Sequence, residues 1–170
     1  MPLYDAAVPQ TRKMLVNLSS WLAEAEKYAE SRSFDPETLL GLRLYPDMLP
    51  LTRQIQGSCD AAKFAAARLA GKAPPKHPDE ETTLAELKVR IQSVIDYLDS
   101  FTPADFEGAE ERVVALPFIE GKGALAGDYL NEMALPNFYF HLTTAYNILR
   151  TNGVLLGKRT FIGGMKLVDL

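Results

Sequence analysis

Four long stretches of this chain repeat their apolar residues every three to four positions, and this spacing constrains the fold more than any other feature. The stretches run from about Tyr4 to Glu30, Tyr45 to Gly71, Thr82 to Thr102 and Asp128 to Asn152. The spacing places the apolar residues on one face of an α-helix, and that face must be buried against another element. Four such helices with short or medium connections predict an all-α protein, a four-helix bundle.

Proline and capping residues mark the helix ends. Pro9 predicts a kink in the first turn or a later helix start, and Pro136 predicts a kink inside the last helix or the start of its main portion. Thr83, followed three residues later by Glu86, predicts a capping box. Gly153 is expected to end the last helix.

The connections predict few other elements. A short apolar run at 112–118, a glycine-rich reversal at 120–123 and the returning pair 124–125 predict at most a small hairpin before the last helix. The prolines at 74–78 predict an extended linker. Residues 154–170 are expected to pack back onto the bundle.

Composition narrows the classes of protein. A length of 170 residues predicts one domain, residues 1–170, and the single Cys59 excludes a disulfide scaffold. No stretch approaches the roughly 18 apolar residues of a membrane span, and the N-terminus does not resemble a secretory signal, so a cytoplasmic protein is expected. A formal charge of −4 argues against nucleic acid as a partner.

The chain has only two histidines, and one of them falls on a helix face where chemistry is possible. His141 lies four residues after Asn137, one turn along the last helix, a spacing that suits two ligands to one metal ion. Amide oxygen is a weak ligand for the metals that imidazole favours, so a buried histidine hydrogen-bonded to an amide or backbone carbonyl is the other interpretation. His77, in the proline linker, is expected to be exposed.

Two further polar residues lie on the second helix, and a third lies at its predicted start. Gln54 and Asp60 are six residues apart, so both cannot point squarely at one site, and one of them is expected to be solvated or to pair with another helix. Asp47 is expected to cap the helix start, with catalysis as the alternative. Cys59 lies on the apolar face, where a free cysteine acts as a small hydrophobe.

Several segments together resemble a known family. These segments are Pro46–Gln54, Arg68–Gly71, Asn137–His141, Ile148–Arg150 and Gly153–Val154. They resemble a branch of unknown function within the DinB/YfiT-like superfamily, whose members are regarded as metalloenzymes. The resemblance implies a four-helix bundle with up-down-down-up connectivity, often assembled as a homodimer.

The resemblance also implies where a site lies. Superfamily members typically hold nickel or zinc with three histidines, one on the second helix and two on the fourth. His141 matches the second histidine of the fourth-helix pair, Asn137 stands in place of the first, and Gln54 lies near the second-helix position. Because two of three imidazoles are replaced by amides, no cofactor is expected, with a divalent metal such as nickel or zinc as the alternative.

Two hypotheses follow for function. The first is a binding or structural protein with a degenerate metal pocket of Gln54, Asn137 and His141, joined by Asp47 or Asp60. This pocket either holds a small molecule or simply belongs to a dimer surface. The second is a metal- or thiol-dependent transferase or hydrolase in which His141 acts as a general base. A homodimer is expected in both cases.

Overall fold

A computed structural model describes residues 2–116 and 119–169 of the chain. Seven α-helices and two short strands are found in these residues: α1 Leu3–Ala7, α2 Pro9–Ser31, α3 Leu51–Ala70, α4 Leu84–Asp99, β1 Val113–Ala115, β2 Gly123–Leu125, α5 Ala126–Asp128, α6 Leu135–Thr151 and α7 Lys158–Ile162. Helix α3 packs between α4 and α6, and α2 contacts both of those helices from the other side. The predicted all-α four-helix bundle is confirmed.

The N-terminal helix is divided where the sequence predicts a break. Helix α1 ends at Ala7, Val8 has φ −110° and ψ −75°, and α2 begins at Pro9. Proline lacks an N–H group and cannot donate the helical hydrogen bond to the preceding turn, but it is well tolerated as the first residue of a helix. The prediction of a kink at Pro9 is therefore confirmed.

Helix α3 begins at Leu51, six residues later than the sequence predicts. Proline at position 50 disfavours helical geometry at Leu49, and Pro50 itself is extended at ψ 169°. Residues 44–48 form turns, closed by the Met48 N–H donating to the Tyr45 carbonyl at 3.0 Å. Asp47 is exposed in these turns, so the prediction that it caps the helix is wrong.

The other end signals agree with the structure. The Glu86 N–H donates to Thr83 Oγ1 at 3.1 Å, and the Thr83 N–H donates to Glu86 Oε2 at 3.0 Å, which is the predicted capping box. Strands β1 and β2 pair antiparallel, with Val113 opposite Leu125, so the small hairpin is confirmed. Two residues of the predicted hairpin segment, Pro117 and Phe118, lie outside the described residues.

The last long helix is not α-helical throughout. Residues Tyr129–Ala134 form a π-helix that joins α5 to α6, immediately before Pro136. Because Pro136 cannot donate a backbone hydrogen bond, the regular α-helical ladder is interrupted here, as the sequence predicts. The π-helix contributes three side chains to the cleft described below.

Residues 154–162 pack onto α2, as expected, whereas residues 164–169 are exposed and this part of the expectation is wrong. Val154 and Leu156 are buried, and the Trp21 indole N–H donates to the Thr160 carbonyl at 3.0 Å. Phe161 stacks on Trp21 with ring centroids 5.4 Å apart. In the described part of the chain, none of the helices combines the length and the apolar character needed to cross a bilayer.

Candidate functional site

The imidazole of His141 is held by a buried amide on the facing helix. Gln54, only 1% exposed on α3, has its Oε1 atom 2.8 Å from His141 Nδ1. The other end of the same amide, Nε2, donates to the Leu49 carbonyl at 3.0 Å. The three groups form a chain of hydrogen bonds that runs from the loop before α3 to the middle of α6.

This chain of hydrogen bonds determines which nitrogen of His141 carries the proton. The Leu49 carbonyl can only accept, so the amide nitrogen of Gln54 must face it and the amide oxygen must face the ring. Nδ1 of His141 is then the N–H donor. Burial lowers the pKa of His141, although the nearby Asp60 carboxylate opposes this shift, so the ring is neutral at pH 7 and Nε2 keeps a lone pair.

Gly57, one turn along α3 from Gln54, lies directly against the imidazole. A Cβ atom at this position would lie 2.8 Å from both Cγ and Nδ1 of His141. Glycine in a helix interior costs about 1 kcal/mol relative to alanine. Because a Cβ atom at position 57 would overlap the imidazole, the helix accepts this cost of glycine and leaves room for the His141 ring.

His141 lines a cleft of about 320 Å³ between α3 and the last helical segment. Helix α3 contributes Gly57, Asp60, Ala61, Phe64 and Arg68, and the facing segment contributes Tyr129, Met133, Ala134, Asn137 and His141. Nε2 of His141 makes no hydrogen bond to another described residue, and it is not among the fully enclosed polar atoms without a partner. The lone pair is consequently accessible to a molecule in the cleft.

The predicted site residues reach the cleft to different degrees. Asn137 is exposed on its rim, and Asp60 lines its wall. Gln54 lies behind the imidazole and does not line the cleft. Asp47 is exposed in the turns before α3 and also does not line the cleft. Of the predicted site residues, Asp60, Asn137 and His141 therefore line the cleft, and Gln54 and Asp47 do not.

Asp60 connects the cleft to a set of charges between α3, α4 and the linker, in which the cations are buried and the carboxylates are partly exposed. Its Oδ1 atom lies 2.7 Å from Lys63 Nζ and 2.7 Å from Arg90 Nη2. Both cations are only 2% exposed. Arg90 Nη1 is also 2.9 Å from Glu81 Oε1 and 3.0 Å from Asp79 Oδ1. Asp60 therefore pairs with a neighbouring helix, one of the two outcomes expected for it, while its side chain also borders the cleft.

His77 contacts the same set of charges and is half-buried, so the prediction that it is exposed is wrong. The ammonium of Lys63 donates to Nδ1 of His77 at 3.1 Å, which leaves Nε2–H to donate to Ser93 Oγ at 3.0 Å. The charges described above hold the proline linker against α3 and α4. Burial, followed by the positive charges of Lys63 and Arg90, lowers the pKa of His77.

Stability should therefore fall when the pH drops below about 6.5, the ordinary pKa of both histidines. Their pKa values are lower in the folded chain than in the unfolded chain, so the unfolded chain binds more protons in this window and acid favours unfolding. Urea unfolding between pH 8 and pH 5.5 measures the effect. A His77→Gln/His141→Gln variant should show a flatter pH dependence over this range, and an equally steep dependence would contradict the assignment.

The donor atoms do not fit the metal site that the resemblance implies. Gln54 Oε1 accepts the Nδ1 proton of His141, and the charge of the Asp60 carboxylate is already balanced by two cations bound at Oδ1, so both are poor ligands for a metal ion. Burial raises the pKa of Cys59 to about 12, which keeps it a thiol. Across residues 2–116 and 119–169, no three His, Cys, Asp or Glu side chains gather in a metal-binding arrangement.

Several residues of the cleft were not identified by sequence reasoning. Gly57 interrupts a strongly helical segment, and an isolated glycine in such a pattern often has a packing role, so a signal was present. Arg68, Phe64 and Tyr129 carry no comparable signal, because a cation or an aromatic ring at helical spacing is ordinarily a surface or core residue. Their side chains come into contact only because α3 packs against the π-helix.

The bundle and its cleft between α3 and α6 define a DinB-like helical domain. Residues 3–162 match the domain of unknown function DUF1993, and the chain belongs to this family. The chain is also similar to a crystal structure of a DinB family member protein from Shewanella denitrificans, with 46% identity over 99% of this chain and 96% of that one, and a TM-score of 0.95. No curated protein matches the chain. The predicted family resemblance is confirmed.

Proposed function

We propose that this protein binds a small molecule in the cleft beside His141, without a metal ion, and that the molecule donates a hydrogen bond to Nε2. The chain Leu49–Gln54–His141 is the observation that carries the proposal. It leaves Nε2 of His141, a lining residue of the cleft, as an acceptor of known protonation. A buried glutamine that serves only to orient one imidazole is typical of a binding site, where the supporting residues fix the contacting group.

The composition of the cleft supports the same proposal. Its volume of about 320 Å³ falls at the lower end of the range of about 300–1,000 Å³ for small-molecule pockets. Phe64, Met133 and Ala61 supply apolar wall, while Asn137 and His141 supply polar groups. This mixture of apolar surface with a few polar groups suits a compact organic molecule.

A second candidate function is proton transfer by His141. A neutral imidazole whose Nδ1–H is held by a carbonyl oxygen can accept at Nε2 the proton of a bound hydroxyl or thiol. The lowered pKa keeps the base unprotonated at neutral pH. This reaction needs the same acceptor as the binding function, and it requires turnover in addition to binding.

The tautomer of His141 provides a direct test. In nitrogen-15 spectra of the imidazole, the wild-type protein should show a protonated Nδ1 and an unprotonated Nε2. Gln54→Leu removes the acceptor of the Nδ1 proton, and a mixture of tautomers should appear. The same substitution at Gln92, which is paired with Asp96 on the surface of α4, serves as the control. A wild-type protein protonated at Nε2 would contradict the proposal.

Binding is tested by ligand-observed NMR with a library of hydroxyl, thiol and amide fragments, in the presence of EDTA. Fragments that occupy the cleft should lose at least about tenfold in affinity in His141→Phe, because a buried donor is left without its acceptor. The matched control is His77→Phe, in the linker. Binding abolished by EDTA would instead support a metal-dependent site.

We also propose that the chain forms a homodimer, as the family resemblance implies. Light scattering of the purified protein at several concentrations should then give twice the 18.8 kDa mass of one chain.

A further inference from the structure

Arg68 is held rigidly at one end of the cleft. It lies in the last turn of α3, and its guanidinium carbon is 5.0 Å from the ring centroid of Phe64 and 5.7 Å from that of Tyr129. Its Nη1 atom donates to the Tyr129 hydroxyl at 3.0 Å. Two aromatic rings and one hydrogen bond therefore fix the plane of the guanidinium.

Among residues 2–116 and 119–169, no carboxylate neutralises the charge of Arg68. Three arginines in the described part of the chain lie in ion pairs: Arg12 with Asp99, Arg53 with Asp79, and Arg90 with Asp60, Asp79 and Glu81. Within the described ranges, no carboxylate lies within 4.0 Å of the Arg68 guanidinium. The Tyr129 hydroxyl is a neutral acceptor, so a full positive charge remains.

The rest of the cleft does not compensate for this charge. Asp60 is the carboxylate among the lining residues, and it is shared between Lys63 and Arg90 on the side facing α4. His141 is neutral at pH 7 for the reasons given above. The cleft therefore carries one unbalanced cation beside an apolar wall, where an anion gains more from pairing than it would in bulk water.

The geometry of the guanidinium favours a planar anion. Because Nη1 is bonded to Tyr129, the free edge of Arg68 is the one formed by Nε and Nη2. Two parallel N–H groups on one edge match the two oxygens of a carboxylate, and such bidentate pairs are stronger and more specific than single contacts.

The positions of Arg68 and His141 also set the length of the ligand. Gly57, which contacts the His141 ring, lies eleven residues before Arg68, which corresponds to about 16 Å along the α3 axis. Helical side chains incline toward the N-terminus, so the guanidinium lies several ångströms nearer to His141 than its backbone does. A molecule that contacts both must carry its two polar groups at opposite ends.

We propose that the cleft binds an elongated organic carboxylate, with its carboxylate on the Nε–Nη2 edge of Arg68 and a hydroxyl at its far end donating to Nε2 of His141. This proposal rests on the binding function proposed above and assigns it a class of ligand. The intervening part of the molecule lies against Met133 and Ala61. Arg68 is the residue that selects the charge of the ligand.

Titration of the protein with para-hydroxyphenylacetate tests the proposed ligand class. Binding is measured by calorimetry and by the NMR signal of the Arg68 side-chain N–H. The neutral amide of the same acid is the control for charge. Lactate, whose hydroxyl adjoins the carboxylate, is the control for ligand length. We expect the acid to bind at least about tenfold more tightly than either the amide or lactate. Equal affinity of acid and amide, or no binding of the acid at 20-fold the concentration that saturates the best neutral fragment, overturns the proposal.

Substitutions of Arg68 separate ligand recognition from a structural role. Arg68→Met keeps an unbranched side chain beside the rings, and it should remove the preference for the acid while leaving the affinity for the amide unchanged. Arg68→Lys should restore part of that preference, and Arg12→Met is the surface control. Loss of affinity for acid and amide alike in Arg68→Met, with a normal spectrum of the folded protein, would mean that Arg68 only shapes the cleft, and this overturns the proposal.

The remaining outcomes distinguish the proposal from the function on which it rests. Inorganic phosphate that competes with the acid at equal concentration, and loses this effect in Arg68→Met, would indicate a general anion site and overturn the carboxylate assignment. Neutral hydroxyl fragments that bind and depend on His141, with no advantage for the acid, would retain the binding function and overturn only the ligand class. Acid binding that is unchanged in His141→Phe would overturn both.

Discussion

Replacing Arg90 by leucine lowers the free energy of unfolding by about 1.5–3 kcal/mol, because the substitution removes the charge-assisted hydrogen bonds of a buried guanidinium to Asp60 and Glu81. Arg90 is 2% exposed and lies within 3.0 Å of oxygens of Asp60, Asp79 and Glu81. Its charge therefore holds α3, α4 and the proline linker together. Urea unfolding at pH 7.5, followed by circular dichroism, measures the loss.

The matched control for Arg90 is Arg12→Leu. Arg12 pairs with Asp99 on the surface, where the side chains are 40% and 47% exposed. Exposed pairs of this kind contribute about 0–1 kcal/mol, so the control should change stability only slightly. Similar losses in the two variants would mean that the charges around Arg90 are solvated and do not bind the linker to the bundle.

Replacing Gly57 by alanine lowers the free energy of unfolding in spite of the better helix propensity of alanine. The new Cβ atom would lie 2.8 Å from two atoms at the base of the His141 ring, and this part of the side chain cannot swing away. Overpacking of a core costs about 1–3 kcal/mol, against a gain of up to about 1 kcal/mol from propensity. We expect a net loss, together with disruption of the Gln54–His141 hydrogen bond.

The control substitution for Gly57 is Gly127→Ala. Gly127 is also helical, and nothing lies within 4 Å of a Cβ atom built there. This variant should be as stable as the wild type or slightly more stable. The nitrogen-15 spectrum of His141 should change in Gly57→Ala and not in Gly127→Ala. A Gly57→Ala variant with raised stability and an unchanged His141 signal would show that the ring does not depend on the glycine.

The sequence predicted the helices well but the start of α3 poorly. Periodicity depends on residue types and not on contacts, so it extends through residues 45–50 although Tyr45 and Leu49 are 66% and 51% exposed. The effect of Pro50 on Leu49 is local and outweighs this pattern. The error placed Asp47 at a helix cap, whereas it lies in an exposed turn.

The candidate site was predicted in part. The one-turn spacing of Asn137 and His141 indicated a polar position on the last helix, and the family resemblance suggested Gln54 as a partner. The structure places Gln54 in contact with His141, but behind the ring instead of in the cleft. A position on a helical face does not reveal this difference, since it depends on the depth of the side chain between two helices.

His77 shows most clearly why the linker could not be interpreted from sequence. A histidine among prolines is ordinarily solvated, and nothing near it in the chain opposes that expectation. Its partners, Lys63 and Ser93, lie 14 and 16 residues away on two different helices. Only the packing of α3 against α4 brings their polar groups within reach of the linker.

The sequence by itself determined the helical architecture, because an apolar repeat of three to four residues can be buried only when helices pack together. It also determined the capping box, the breaks at proline and the shortage of histidine, which differs from the three-histidine pattern that the resemblance implies. The tertiary structure decided the protonation of His141, the neutralisation of Asp60 and the free charge of Arg68. Each of these depends on which groups meet across α3, α4 and α6, and such contacts between distant residues leave no periodic signal in the chain.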